Sequence, residues 1–270
     1  MRLAGHLGVA SMAAPMFAQS VGSADPLLQI DYMAACGFAG IADNHLLARD
    51  AATQAAIGAA LARYGMEMGS FTLVPPGAAP FPWTHPSADV AAGLSPALAA
   101  AKRVGGGLII VAIHDNGADP GDQHRAACEN LGRAAACAAA AGRALGLEPV
   151  SAQRVPGVLV QWAAQAALMI EACGNTALKL VVDCCHLSLG GEDIGGSIRK
   201  YAPMLGAVQI ADMPGRVEPG AGVLEFTAIT DALHDIGWAG LVEAECFASR
   251  SGVAGEAAML AALNRFKSAA

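Results

Sequence analysis

The chain has 270 residues, of which 54% are apolar and 14% charged, with a formal net charge of −7. So much apolar material with so little charge excludes a disordered chain. The acidic balance, with no cluster of Lys and Arg, argues against a nucleic-acid partner, because phosphate contacts need such clusters. No run of about 18 apolar residues is present, so no membrane span is expected.

The N-terminal Met1–His6 stretch reads as a first strand and not as a secretory leader, since its apolar run is short and interrupted by His6. Further strands are expected along the chain as short Val, Ile and Leu runs. The full set is Ala4–Ala10, Ala39–Asp43, Glu67–Leu73, Gly107–Ile113, Ala144–Glu148, Leu178–Asp183, Ala207–Ala211 and Leu241–Cys246. Ala- and Leu-rich helical stretches lie between them. Asp25-Pro26 opens one such helix as an N-cap followed by Pro, and Pro86–Asp89, Asp119–Asp122 and Glu192-Asp193 open others in a similar way. Continuous apolar strands alternating with helices predict a parallel sheet buried on both faces. Eight such units predict a single (β/α)8 TIM barrel spanning residues 1–270. The seven cysteines (Cys36, Cys128, Cys137, Cys173, Cys184, Cys185 and Cys246) form no CxxC pair. Reduced thiols in a cytoplasmic protein are therefore expected.

Four late strands carry a polar residue near the end where barrels build their active sites: Glu148, Asp183, Gln209 and Glu245. One strand-end carboxylate is usually a helix cap or an ion-pair partner. Three carboxylates and an amide oxygen at one mouth would repel one another without a cation. A hard divalent ion such as Mg2+ or Mn2+ suits this oxygen set. Glu243 shares a face with Glu245 and is expected one layer deeper, or outside if a bulge changes the register.

The segment Gln209-Ile210-Ala211-Asp212-Met213-Pro214-Gly215-Arg216 through Gly222 resembles the seventh-strand motif of the hydroxypyruvate isomerases, within the xylose-isomerase-like barrel superfamily. Leu147-Glu148-Pro149-Val150 with Pro156-Gly157, Asp183-Cys184-Cys185-His186 and Gly237-Trp238-Ala239-Gly240 before Glu245 continue the likeness in order. The resemblance implies one divalent metal on Glu148, Asp183, Gln209 and Glu245, an acid–base pair of Glu148 and Glu245, and substrate contacts from His186 and Arg216. It implies isomerisation of a small hydroxy-carbonyl compound, hydroxypyruvate or tartronate semialdehyde, through an enediolate. Ketose 3-epimerisation and dehydration of a sugar acid or cyclitol stay open on the same site. The chain departs from that branch at Ser151–Arg154, where an Asn is usual, and at Cys246-Phe247-Ala248, where Tyr-Lys-Pro is usual. With that Lys absent, Arg154, Arg216 and Arg250 are the cations available to a substrate carboxylate. The expected partner is a small molecule, with self-association into a homo-oligomer left open.

Other residues carry weaker expectations. Asp43-Asn44 faces the substrate or caps a turn. His6 and His114 line the mouth or sit in the core. Trp83, on the Val74–Pro86 loop with its five prolines, is expected as a lid or an oligomer contact. Asp212 and Glu218 are expected to hold their loop by ion pairing with Arg216.

Overall fold

The computed structural model describes residues 1–268, so the last two positions of the expected 1–270 span lie outside the described residues. The described strands are β1 (Arg2–His6), β2 (Gly40–Ala42), β3 (Glu67–Met68), β4 (Ser70–Thr72), β5 (Leu108–Val111), β6 (Ala144–Leu147), β7 (Leu178–Asp183), β8 (Leu205–Ile210) and β9 (Leu241–Ala244). They pair in parallel, in the order β3-β2-β1-β9-β8-β7-β6-β5-β4. β3 and β4 are one barrel strand divided at Gly69, and that glycine closes the ring. Its N–H donates to the Ile41 carbonyl at 2.7 Å and its own carbonyl accepts from Leu108 at 2.9 Å. A Cβ at this position would stand 2.5 Å from a carboxylate oxygen of Glu243, so only glycine leaves room for that buried acid.

The helices are α1 (Ala18–Val21), α2 (Pro26–Ala35), α3 (Ala51–Tyr64), α4 (Val90–Arg103), α5 (Pro120–Ala140), α6 (Ala163–Cys173), α7 (Cys184–Leu189), α8 (Ile194–Lys200), α9 (Phe226–Asp235) and α10 (Gly252–Ser268). The expected starts are real caps: the Asp25, Asp89, Asp119 and Asp193 side chains each accept a backbone N–H in the following turn. Each such cap contributes about 1 kcal/mol. None of these helices is long and apolar enough to cross a membrane.

One large apolar cluster fills the space between sheet and helices. A separate small one (Ile110, Val181 and Ala207, with Leu108 against it) lies inside the barrel, because Val181 and Ala207 share a strand face with Asp183 and Gln209. This plug is the floor of the site. Gly146 gives it room, since a Cβ there would meet Val181 at 2.6 Å and Leu108 at 2.7 Å.

Several strands are shorter than expected, and hydrogen bonds show why for two of them. β1 ends at His6 and not Ala10, because the His6 ring Nδ1 accepts the Gly8 N–H at 3.0 Å and turns the chain. β9 ends at Ala244 and not Cys246. The Glu245 N–H still reaches Ile210 at 3.1 Å, but the Phe247 N–H then leaves the ladder for the Arg216 carbonyl at 2.8 Å. The seven cysteines are free.

Candidate active site

Strand register places the polar residues. Asp183 on β7 lies beside Gln209 on β8, which lies beside Glu243 on β9. Glu245, two residues on, faces the same way one layer nearer the mouth. Glu148 follows β6 directly, with its N–H still on the Val111 carbonyl at 3.0 Å. Glu148, Gln209, Glu245, His186 and Arg216 line one cavity of about 390 Å3, and Asp183 is buried at its base through contacts to His186 and Arg216. All four expected ligands are thus brought together, and both expected substrate contacts stand among them.

The local hydrogen bonds explain how each group is aimed. Asp183 is both a cap and a site residue: Oδ1 accepts from the Cys185 and His186 N–H groups at 2.6 and 3.3 Å, while Oδ2 meets Arg216 at 2.6 Å. Arg216 also reaches Glu245 at 2.5 Å, and its Nε donates to the Glu245 carbonyl at 2.9 Å. Asn44 donates to the same Glu245 carboxylate at 2.9 Å. His186 accepts the Ser151 N–H on Nδ1 at 3.2 Å. Its Nε2 therefore points inward, 3.7 Å from Glu148 and 3.9 Å from Asp183.

Charge is the dominant feature. Burial, then the charges of Asp183 and Glu245, push the Glu148 carboxyl well above the usual carboxylate range. Burial raises Glu245 as well, and the Arg216 guanidinium pulls against it. Burial works against the charge on Arg216, but Asp183 and Glu245 outweigh it and hold the guanidinium firmly protonated. His186 is lowered by burial, with Asp183 opposing. Three carboxylates thus share one guanidinium in a buried space.

Two observations fit a divalent cation to these residues. The Gln209 Oε1 is buried with no hydrogen-bond partner. Buried acceptors left unpaired are rare and costly, and a cation satisfies one. In addition, one donor atom each from Glu148, Asp183 and His186 lie within 4.8 Å of one another. Oxygen-rich donors suit a hard ion. His186 is close enough to join the ligand set, which sequence alone assigns only to substrate.

The weaker expectations resolve as follows. Asn44 faces the site through Glu245, whereas Asp43 is a fully buried structural acid paired with Arg49 at 2.6 Å. His6 is core, and burial lowers its pKa to about 4. His114 lines the cavity. Trp83 is only 2% exposed, packs on Phe81 with ring centroids 4.6 Å apart and lines the cavity from its loop, so it is a buried wall of the site and not an exposed contact. Asn130 pins that loop by donating to the Trp83 and His85 carbonyls at 2.6 and 2.9 Å. Asp212 and Glu218 do hold their loop, but not by pairing with Arg216. Asp212 accepts from the Met213, Gly220, Gly222 and Leu224 N–H groups, and Glu218 accepts from Ser249. Backbone donors and the Ser249 hydroxyl satisfy both acids, which leaves Arg216 free to serve Asp183 and Glu245. Glu243 is one layer deeper, bonded to Ser70, a residue that carried no signal in the sequence.

Comparison with known proteins gives this geometry a context. A "Putative hydroxypyruvate isomerase" of Streptomyces coelicolor is 38% identical over 133 residues, 48% of each chain. The 2-oxo-tetronate isomerase of Cupriavidus necator is 29% identical over 47% of this chain and 50% of its own. The L-ribulose 3-epimerase of Mesorhizobium japonicum is 35% identical over 47% of this chain and 42% of its own. The aligned segments thus span about half the length of these curated relatives. Among solved structures, D-psicose 3-epimerase from Clostridium cellulolyticum H10 superposes with a TM-score of 0.79 at 20% identity, covering 100% of this chain and 99% of its own. That likeness speaks to the fold. The profile of the xylose isomerase-like TIM barrel family matches residues 30–269, taking in every strand from β2 to β9 and all the residues placed at the mouth. With the barrel closed and its late strands delivering these residues in register, the chain belongs to the xylose isomerase-like TIM barrel family.

Proposed function

We propose that the chain is a divalent-cation-dependent isomerase of a small 2-hydroxy-carbonyl acid of the hydroxypyruvate and tartronate semialdehyde type, acting as one barrel domain on a free small molecule. The observation that carries this reading is the Gln209 Oε1 left without a partner beside three buried carboxylates. The names of the relatives support an isomerase or epimerase of sugar-like compounds. The free thiols support a cytoplasmic setting.

Glu148, Asp183, Gln209 and Glu245 would hold the ion, Mg2+ or Mn2+, with His186 in reach. When bound, the ion supplies Lewis acidity that makes the C–H between a carbonyl and a hydroxyl easier to ionise. Glu148 and Glu245 lie on opposite sides of that space, on the strands next to β7 and β8. One, ionised, would remove the C–H proton, the other, protonated, would deliver a proton to the neighbouring carbon, and the hydroxyl proton would pass to the former carbonyl oxygen. Their burial favours the neutral form, so either carboxylate holds a proton readily once it has taken one. Arg216 keeps Asp183 and Glu245 in place and, with His186, presents N–H donors to substrate oxygens. The apolar wall of Val74, Pro75, Phe81 and Trp83 keeps water from the carbanion.

Of the three arginines available to a carboxylate, Arg216 is engaged by Asp183 and Glu245. Arg250 lines a neighbouring cavity. Arg154 lines this one and supports an acid as substrate. Arg154→Ala is expected to raise KM for hydroxypyruvate by about tenfold or more with a smaller change in kcat, as loss of a binding contact should. An unchanged KM would remove Arg154 from the site.

The reading as a whole is tested on purified protein by metal content, by EDTA treatment, and by product analysis on hydroxypyruvate and on free ketoses. Bound divalent ion, loss of activity in EDTA and its return with Mn2+ are expected, with tartronate semialdehyde as the product. Full activity in EDTA would sink the cation reading. Turnover of ketoses alone, to their 3-epimers, would replace isomerisation by epimerisation.

A further inference from the structure

Glu243 has no part in the chemistry above, yet it is a fully buried acid with a dedicated partner. It is 2% exposed, two residues deeper on β9 than Glu245 and in register with Gln209. Its Oε1 accepts the Ser70 N–H at 2.7 Å, and its Oε2 accepts the Ser70 hydroxyl. Across the ring, the strand that carries Ser70 is broken at Gly69, where any side chain would strike this carboxylate. A barrel interior is normally filled with branched apolar residues, and a buried acid costs stability unless something uses it.

What faces the remaining side of that carboxylate is the Gln209 amide. Nε2 of Gln209 stands 3.4 Å from the Ser70 Oγ and 3.5 Å from the Glu243 Oε2, long contacts with the donor side toward the acid. The opposite atom, Oε1, is the one buried without a partner. An ionised carboxylate only accepts, so it tolerates the NH2 side of an amide and repels the oxygen side. We propose that Glu243 is a positioning residue, whose carboxylate, anchored on Ser70, takes the NH2 of Gln209 and so turns the amide oxygen toward the cation. Gln209 would otherwise offer a donor or an acceptor with equal ease. The inference rests on the cation reading of the site.

Glu243→Gln tests it, because the change is isosteric and reverses one polar group. The Ser70 N–H cannot turn, so it claims the new amide's oxygen. The new NH2 then faces the Gln209 NH2, and Gln209 must turn its own NH2 toward the cation. Mn2+ affinity, measured by calorimetry, is expected to fall about 10- to 100-fold, the usual effect of losing a partner that orients a ligand. The exchanged variant Gln209→Glu/Glu243→Gln restores a donor facing an acceptor at unchanged charge, and its affinity should return to within a few-fold of wild type. A role limited to filling space predicts no loss for the first variant and no rescue by the second. If Glu243→Gln folds poorly, the exchanged variant decides: folded with near-native Mn2+ affinity it supports the proposal, and folded without it overturns it.

A second readout needs no cation. The side-chain NH2 signals of Gln209, assigned by their loss in Gln209→Ala, should exchange slowly with solvent in wild type and shift in Glu243→Gln. Should wild type bind no Mn2+, the cation reading falls, and these signals still decide the positioning. Unshifted Gln209 signals in Glu243→Gln, or Mn2+ affinity within about twofold of wild type, would overturn it.

Discussion

Glu245→Gln is expected to lower kcat by about 10³-fold, within the range that one acid–base group contributes, while leaving the barrel folded. The expectation follows from how the carboxylate is held. It is 5% exposed and fixed by Asn44 at 2.9 Å and Arg216 at 2.5 Å, so it has no freedom to search for a proton. Burial disfavours its charge and Arg216 opposes that, which leaves a carboxylate raised from the usual range and able both to take and to release a proton. A glutamine keeps the shape and can still accept from Asn44, but it cannot take a proton. Its NH2 takes the place of Oε2, the oxygen that neither Asn44 nor Arg216 meets, so some loss of cation affinity is expected. Activity must therefore be compared at saturating Mn2+, where the ligand and proton-transfer roles separate. Under those conditions the substrate α-proton should exchange with deuterated solvent in wild type and not in the variant. Wild-type exchange by a fully Mn2+-loaded Glu245→Gln protein would leave Glu245 as a ligand only, and the acid–base assignment would have to move.

The parts of this site that were legible in the sequence are those in which chain order and strand period do the placing. Glu148, Asp183 and Gln209 each end or follow a run of apolar strand residues, and a parallel barrel sends all such ends to one mouth. The caps were legible for the same reason, since Asp25, Asp89, Asp119 and Asp193 act within their own next turn. Contacts across the ring were not. Asn44 and Glu245 lie 201 positions apart and Ser70 and Glu243 lie 173 apart, and neither serine nor asparagine announces such a partner. Trp83 misled for a related reason. A Trp in a Pro-rich loop looks exposed until Asn130, from a distant helix, is seen to hold that loop against the barrel. The break at Gly69 was hidden as well, because Glu67–Leu73 reads as one continuous strand and nothing local says that an acid from β9 needs the space.

The second large effect concerns stability. Arg216→Met should destabilise the cation-free protein by about 3–5 kcal/mol, the usual result of removing one partner from a buried ion pair. In a chain of this size that lowers Tm by roughly 10 °C. The guanidinium is 6% exposed and bonds Asp183 and Glu245 together, so its loss leaves two buried carboxylates facing each other beside Glu148. The deficit has a definite pH sign. Arg216 is the strongest force pulling Glu245 down, so without it the folded-state pKa of Glu245 rises further above its unfolded value. A carboxyl raised in the folded state binds protons more tightly there than in the unfolded chain, so stability falls as pH rises through the window between the two values. The gap between variant and wild type should therefore be wider at pH 8 than at pH 5. Divalent ions should narrow it. In wild type an incoming cation meets carboxylates already engaged by Arg216, whereas in the variant nothing competes, so saturating Mn2+ should raise Tm more in the variant than in wild type. Thermal melts of both proteins at the two pH values, with and without Mn2+, check every step. A variant that melts with wild type in EDTA at pH 8, or that gains no more from Mn2+, would show that Arg216 does not hold this cluster of acids together.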